Sequence, residues 1–263
     1  MNSQNFWEQT QYASLTAQNL FNLFENKIPA IQIPNFATQA ECRAFSTAAH
    51  NANFAYHERV PPPPIGRIGV PQFGYIKKTK DEYFVAVKQE YQTQREIINK
   101  SFHPLNRLLE MLRSTVSTEV NISQDGQFGN FFAGLVRLIH KSVPLHMDFI
   151  QTDAPEWGVA NVDAQLAWNL FLSVPERGGE CIVYNRLWQP EDEMHKVTGG
   201  ELELYYTPEL VQKCQTKEIK PILGNVVLFN SRNFHEVKDS YGERMTFTSF
   251  IGRKPNGNIV IWS

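Results

Sequence analysis

Two residues near the middle of the chain, His146 and Asp148, have the types and the spacing of metal ligands. They alternate with apolar residues in the segment VPLHMDF (143–149). We expect this segment to form a strand, in which side chains at i and i+2 project from the same face, about 7 Å apart at the backbone. Polar side chains inside an apolar strand need partners, because an unpaired buried charge is costly. The pair therefore indicates either a hydrogen-bonded couple or two corners of a metal site.

A third candidate ligand, His235, lies far along the chain in the segment GNVVLFNSRNFHEV (224–237). This segment is a glycine turn, a strand and a short polar loop that ends at the histidine. Two strands of one barrel can face each other across its mouth, so the distance in sequence is no obstacle. Two histidines and one carboxylate on a single octahedral face form the triad that holds non-haem Fe(II) and leaves three positions open.

Arg244 and Thr246 follow His235 closely and share one face of the next predicted strand. The planar fork of an arginine binds a carboxylate through two hydrogen bonds, and a threonine hydroxyl can add a third. A keto acid such as 2-oxoglutarate chelates iron with its C1 carboxylate and C2 carbonyl, and its far carboxylate needs a cation. The five residues together therefore predict a metal site with a 2-oxoglutarate receptor beside it.

The elements that would support this site in the first half of the chain are helices. The segment 14–27 has apolar residues at roughly helical spacing, and the alanine-rich segment 37–52 has Thr38 as a candidate N-cap. From about Lys80 to Val120 the pattern is helical again, and Pro104 divides it into two helices.

The second half of the chain is predicted to be all β. Its apolar segments are short, rich in β-branched and aromatic residues, and bounded by turn signals; they are FGNFFAGLVRLI, VPLHMDF, AQLAWNLFLSV, ECIVYNR, ELELYY, NVVLFN, RMTFTSFI and NIVIWS. Strands without alternating helices favour an antiparallel sandwich or barrel. We expect one domain, 1–263, in which 1–125 is mostly helical and 126–263 forms the β core with the metal site.

Composition limits the classes of function. A net charge of −2 and a pI of about 6.4 argue against a nucleic-acid partner. The sequence has no apolar run of about 18 residues, which argues against a membrane span. Three widely spaced cysteines and an N-terminus without a secretory pattern indicate a cytoplasmic protein without a disulfide framework. A small molecule is the expected partner, and the oligomeric state stays open.

The order of these residues resembles the Fe(II)/2-oxoglutarate-dependent oxygenase superfamily. The matching residues are His146-x-Asp148, His235 and Arg244-x-Thr246, and VPERGGECIVYNRLW and GNVVLFNSRNFHEV resemble the segments that frame the family's site. More narrowly, residues 128–263 resemble the carrier-independent oxygenases and halogenases of indole-alkaloid pathways, in particular the welwitindolinone-type halogenases. The resemblance implies a mainly β fold with α-helices, namely a double-stranded β-helix (jelly roll) with N-terminal helices packed on it. It also implies Fe(II) as the metal, with 2-oxoglutarate and O2 as cosubstrates.

Asp148 is the departure from the halogenases that bears on the reaction. Those enzymes have Gly or Ala at this position, and chloride takes the vacant coordination site. The resemblance therefore implies a hydroxylase, which acts on an unactivated C–H bond of a specialised metabolite or free amino acid and releases succinate and CO2. The same cofactors also support desaturation, epimerisation, ring formation or halogenation. A non-catalytic jelly-roll protein that binds a ligand is the alternative from another class.

The substrate contacts are less well defined by the sequence. The segment PIGRIGVPQFGYI (64–76) reads either as a lid or as a structural loop, and it supplies Phe73 and Tyr75 as candidate substrate contacts. On the strand after the metal strand, Trp168 and Asn169 point to opposite faces, and we choose Trp168 as the pocket residue.

Arg137, in the strand before the metal strand, also has a counterpart in the resembling halogenases. We group it with Arg244 and Thr246 as a residue that binds the 2-oxoglutarate cosubstrate. Its alternative roles are to bind an acid group of the substrate or to form a structural ion pair.

Overall fold

The computed structural model describes residue 7 and residues 12–56, 65–197 and 204–263. Within this part of the chain the helices are α1 (Ala17–Phe24), α2 (Gln39–His50), α3 (Lys80–Asn99), α4 (Pro104–Thr115) and the short α5 (Ile150–Asp153). No helix among these combines the length and the apolar character that a bilayer crossing requires.

Local sequence signals set the helix boundaries. Thr38 caps α2 and Thr79 caps α3, and each cap forms a reciprocal pair with a glutamate three residues later, Glu41 and Glu82. The predicted break at Pro104 is confirmed, because α4 begins at this residue. Proline lacks a backbone N–H, and the first N–H groups of a helix have no hydrogen-bond partner within it, so proline is well tolerated there. The predicted N-cap at Thr38 is confirmed as well.

The strands of the described residues are β1 (Ile31–Ile33), β2 (Ala55–Tyr56), β3 (Gly66–Ile68), β4 (Val120–Ile122), β5 (Gln124–Asp125), β6 (Gly129–Asn130), β7 (Leu135–Ile139), β8 (Val143–His146), β9 (Ala164–Ser173), β10 (Arg177–Gly178), β11 (Cys181–Leu187), β12 (Thr216–Ile219), β13 (Val226–Asn230), β14 (Asn233–Val237), β15 (Ser240–Tyr241), β16 (Arg244–Arg253) and β17 (Ile259–Trp262). Nearly all of the longer strands lie in the second half, as the sequence predicts.

Two antiparallel sheets form the core. The large sheet has the order β1-β13-β9-β16-β7-β3-β2, with β17 paired to β16 and β4 paired to β17 in parallel. The small sheet has the order β12-β11-β14-β8. This arrangement, with helices packed on a β core, is the jelly-roll architecture that the resemblance implies, and the predicted fold class is confirmed.

The two faces of the large sheet have different partners. Along β16, Met245, Phe247 and Ile251 join the apolar cluster that includes side chains of α1, α2 and α4. The alternate residues Arg244 and Thr246 face the space between the two sheets, where they line a cavity. The helices therefore cover one face of the large sheet, and the other face is left for the site.

Two predictions about strands need correction. β8 ends at His146, so Asp148 lies beyond the strand, in the stretch that leads into α5. The segment ELELYY is not a strand in the residues that are described: Tyr206 makes one isolated bridge with Lys196, and 198–203 lie outside the described residues. The proline run that ends at Pro64 lies outside the described residues too.

Cys42, Cys181 and Cys214 are all free, as expected.

Candidate active site

The two histidines lie directly opposite each other on neighbouring strands. His146 ends β8 and its register partner His235 is in the middle of β14, with the ring centroids 4.2 Å apart. In each ring, Nδ1 is hydrogen-bonded to a backbone carbonyl two residues earlier, Pro144 O at 2.8 Å and Asn233 O at 2.9 Å. A carbonyl only accepts, so Nδ1 carries the proton and Nε2 keeps its lone pair. Both rings are therefore oriented and in the tautomer that binds a metal through Nε2.

Asp148 reaches the histidines although it is beyond the strand, because its backbone is fixed by hydrogen bonds. Its N–H donates to Ser231 O at 2.9 Å, and its carbonyl accepts from Ser231 Oγ at 2.9 Å and from Gln165 Nε2 at 3.1 Å. Gln165 also accepts from the Ile150 N–H at 2.9 Å, which ties the start of α5 to β9. Backbone contacts, and not strand alternation, place this carboxylate.

The three side chains form a compact group of potential metal ligands. One ligand atom from each of His146, Asp148 and His235 lies within 4.8 Å of the others, and His235 Nε2 is 3.5 Å from Asp148 Oδ2. The donors are two imidazole nitrogens and one carboxylate oxygen, and all three residues line one cavity between the sheets. This donor set fits a divalent transition metal bound at three positions with the remaining positions open.

The protonation states also suit a metal. Burial, together with the neighbouring His235, lowers the pKa of His146 to about 4. Burial alone would raise the pKa of Asp148, but the neighbouring His235, His146 and Arg137 bring that pKa below its usual range. At neutral pH the imidazole is thus neutral and the carboxylate is ionised, so neither ligand has to lose a proton to bind a metal.

Arg244 is a buried cation to which no described residue supplies an anion. Its side chain is 4% exposed, its Nε has no acceptor, and it makes no hydrogen bond or ion pair with any described residue. Its guanidinium lies 5.2 Å from the Phe171 ring centroid, and burial lowers its pKa to about 10, so it stays charged at neutral pH. A buried, unpaired guanidinium is costly unless an anion binds beside it. Thr246, two residues along the same face, lines the same cavity.

Two adjacent cavities, here named inner and outer, share lining residues between the sheets. The inner cavity contains the three candidate ligands together with Arg244, Thr246 and Asn169. The outer cavity also reaches His146 and Asp148 but has a mostly apolar wall; it is lined among others by Ile65, Phe73, Met147, Tyr205, Phe250 and Trp262. Arg137 lines both cavities.

The structure separates the predicted substrate contacts. Phe73 lines both cavities. Tyr75 lines neither and instead packs edge-on against Tyr83, at 5.4 Å between ring centroids. Trp168 points away from the cavities into the helix-facing core, where it is fully buried against Phe36 and Phe247. The choice of Trp168 is therefore corrected in favour of its neighbour Asn169.

Several lining residues have no strong signal in the sequence. Gln72, Asp153, Gln165 and Tyr205 all line the outer cavity, and none stands in a metal or cosubstrate motif. Gln165 and Asn169 could have been found by the alternation of polar residues with Trp168 on β9. The other three come from loops and a short helix, where no periodicity predicts the direction of a side chain.

Several known proteins are similar to this chain. A family model described as "Carrier-protein-independent halogenase WelO5" matches residues 9–263. A protein of Purpureocillium lilacinum, "Leucinostatins biosynthesis cluster protein S", is 35% identical over 214 residues, which cover 76% of this chain and 86% of that protein. "L-gamma-glutamyl-L-propargylglycine hydroxylase" of Streptantibioticus cattleyicolor is 29% identical over 136 residues, 50% of this chain and 48% of the hydroxylase.

A solved structure shares the fold. The "N-Substituted L-Amino Acid Dioxygenase" of Burkholderia ambifaria, in complex with alpha-KG, superposes with a TM-score of 0.63 at 14% identity, covering 94% of this chain and 91% of the dioxygenase. At this identity the likeness concerns the architecture, which is the one that the two sheets and the helical layer already indicate.

Proposed function

Because the chain belongs to the carrier-protein-independent halogenase WelO5 family, we propose that it is an Fe(II)- and 2-oxoglutarate-dependent dioxygenase that hydroxylates an unactivated C–H bond of a small molecule. One observation carries the proposal. Two imidazoles with free Nε2 atoms and an ionised carboxylate converge on one point, beside a buried arginine to which no described residue supplies a carboxylate.

In this proposal each residue has a defined task. His146, Asp148 and His235 hold Fe(II), which with 2-oxoglutarate and O2 supplies the oxidation and yields succinate, CO2 and the hydroxylated product. Arg244 binds the far carboxylate of 2-oxoglutarate and Thr246 adds its hydroxyl. The apolar outer cavity places the substrate carbon next to the metal and keeps water away from it.

Asp148 favours hydroxylation over halogenation within this family. The resembling halogenases leave that coordination position to chloride, whereas here a carboxylate lies 3.5 Å from His235 Nε2 and would fill it. The names of the relatives also suit a role in specialised metabolism. One belongs to a leucinostatin biosynthesis cluster and the other hydroxylates a γ-glutamyl amino acid.

The proposal is tested by adding Fe(II) and 2-oxoglutarate to the protein without oxygen. We expect a weak visible charge-transfer band, and on admitting O2 we expect succinate in the presence of substrate and a product heavier by one oxygen atom. His235→Ala should give neither the band nor succinate. A wild-type protein that gives no band under these conditions is a binding protein and not an oxygenase.

Replacing the carboxylate tests the choice of reaction. Asp148→Gly should lose most hydroxylation and admit chloride, because the backbone of residue 148 is held by Ser231 and Gln165 without help from its own side chain. The readout is product mass in the presence of chloride. A hydroxylation rate equal to that of the wild type would show that Asp148 is not a metal ligand.

A further inference from the structure

Arg137 is a second cation without a partner at the site. It makes no hydrogen bond or ion pair with any described residue, and its Nε is buried without an acceptor. It differs from Arg244 in position: Arg137 lines both cavities, whereas Arg244 lines only the inner one. The charge of Arg137 is therefore presented to the outer cavity, next to the apolar wall.

A second arginine, Arg67, lies opposite Arg137 in the sheet and adds to the positive charge that a bound anion would neutralise. Arg67 on β3 is the register partner of Arg137 on β7. The Arg67 guanidinium donates a hydrogen bond to the carbonyl oxygen of Gly69, directly after its own strand, and not to a carboxylate. Like charges directly opposite each other on antiparallel strands destabilise the sheet. A bound anion would relieve this repulsion, since none of the described residues supplies a carboxylate to either arginine.

Gln72 adds a polar group that is also without a partner. Its side chain is 2% exposed, and its Nε2 has no acceptor although it lines the outer cavity. Its backbone is fixed, because its N–H donates to Ser263 O at 2.8 Å. A buried amide donor of this kind implies a polar ligand, since leaving it unpaired costs free energy.

The charge balance also favours an anion. Fe(II) and the two cavity arginines outweigh Asp148 and dianionic 2-oxoglutarate by one positive charge. Among the described residues, Asp153 is the other acidic group that lines the outer cavity, and burial together with the charge of Asp148 raises its pKa to about 7. A raised pKa reduces the negative charge that Asp153 sets against a bound anion.

We propose that the outer cavity binds a substrate that carries a carboxylate, with Arg137 and Gln72 as its receptor and the apolar wall around the rest of the molecule. This inference rests on the proposed function, and it moves Arg137 from the cosubstrate to the substrate. Arg244 and Thr246 remain together in the inner cavity for 2-oxoglutarate, so the two carboxylates have separate receptors.

The test uses acids and amides of the same shape. Phenylacetate, indole-3-acetate and N-acetyl-L-phenylalanine are each compared with the corresponding amide, by calorimetric titration into protein loaded with Zn(II) and saturating 2-oxoglutarate. Zn(II) prevents turnover, and 2-oxoglutarate blocks the Arg244 receptor. At least one acid should bind about tenfold more tightly than its amide, as expected when a charge-assisted contact is lost.

Substitutions of Arg137 test whether this residue causes the preference for the acid over the amide. Arg137→Gln should abolish the difference between acid and amide while changing the affinity for 2-oxoglutarate less than about threefold, and Arg137→Lys should retain part of the preference. Arg177→Gln, at an exposed arginine stacked on Tyr241, is the matched control and should behave as the wild type. Thermal unfolding verifies that each variant is folded.

Two results would overturn the inference. One is that no acid binds more tightly than its amide, which includes the case in which none of the compounds binds. The other is that Arg137→Gln weakens 2-oxoglutarate tenfold or more and leaves any preference for the acid intact. Absence of the Fe(II) charge-transfer band would instead contradict the oxygenase assignment, and the acid–amide comparison could then still be made on the metal-free protein.

Discussion

At the scale of single residues, the unpaired charges of Arg137 and Arg244 lower the stability of the ligand-free protein. Arg244 is almost fully buried and has no acceptor among the described residues. In such a position an unpaired charge destabilises the ligand-free fold, as groups at functional sites commonly do.

Arg244→Gln should therefore separate binding from stability. We expect 2-oxoglutarate to bind more weakly by roughly 2–4 kcal/mol, because the charge-assisted contact is lost. The free energy of unfolding of the ligand-free protein should stay the same or rise, because the unpaired charge is gone. Titration of the Fe(II) charge-transfer band and chemical denaturation measure the two quantities. An unchanged affinity would remove Arg244 from this role.

Gln165 is expected to position Asp148 without touching the metal. Gln165→Leu leaves both the Asp148 carbonyl and the Ile150 N–H without this partner, so we expect about tenfold weaker Zn(II) binding in competition with a chromophoric chelator. Gln151→Leu is the control, because Gln151 Nε2 donates to Val162 O and does not contact Asp148. Equal effects of the two substitutions would contradict a specific positioning role.

At the scale of elements, Glu41 connects two helices. It closes the capping box of α2 with Thr38, and it also pairs with Arg107 of α4, whose Nη1 donates to Phe36 O at 2.6 Å. The hydrogen bond from Arg107 lowers the pKa of Glu41 to about 2. Glu82 closes the capping box of α3 without an arginine, which makes it a natural control.

Glu41→Gln should lower the free energy of unfolding by about 1–2 kcal/mol at pH 7, and Glu82→Gln should lower it less. The folded-state pKa of Glu41 is below the unfolded value near 4.5, so its contribution is complete above pH 4.5 and is lost as the pH falls towards 2. The difference between wild type and Glu41→Gln should shrink over that range. Denaturation at pH 7 and pH 3 measures it, and a difference that grows in acid would contradict the assignment.

How far the sequence predicts each element depends on whether the signal is local. Helix caps and the break at Pro104 depend on residues within a few positions, and they were predictable. Both faces of β9 are buried, so its apolar residues do not indicate which face lines the cavity. Trp168 was therefore predicted as the pocket residue, whereas its neighbour Asn169 lines the cavity. The hydrogen bonds that hold Asp148 beyond the end of β8 come from distant segments, so its position could not follow from strand alternation.

At the scale of the whole molecule, the candidate metal ligands connect the two sheets. His146 and His235 belong to the small sheet, whereas the backbone of Asp148 is tied to Gln165 of the large sheet and to Ser231 directly after β13. The motif itself was predictable from residue types and order. The row formed by Arg67, Arg137 and Thr246 across β3, β7 and β16 was not, because it depends on non-local strand pairing.

A metal should consequently stabilise the whole fold. At a free Zn(II) concentration of about 100 times Kd, the gain is about 2.7 kcal/mol, which corresponds to a rise in Tm of about 5–10 °C for a chain of this size. His235→Ala should lose most of the rise, and His50→Ala, whose ring pairs with Glu243 away from the site, should keep it. Equal shifts in both variants would place the metal elsewhere.

The hydrogen bonds of the two candidate ligand imidazoles bear on how the substrate cavity of this protein could be engineered. Both acceptors are backbone carbonyls, of Pro144 and Asn233, so substitutions of other side chains do not remove them. The orientation of the rings is therefore inherited from the strand backbone and is independent of what lines the outer cavity. A library that randomises Phe73, Tyr205 and Phe250 can change which molecules enter while the ring tautomers stay as they are.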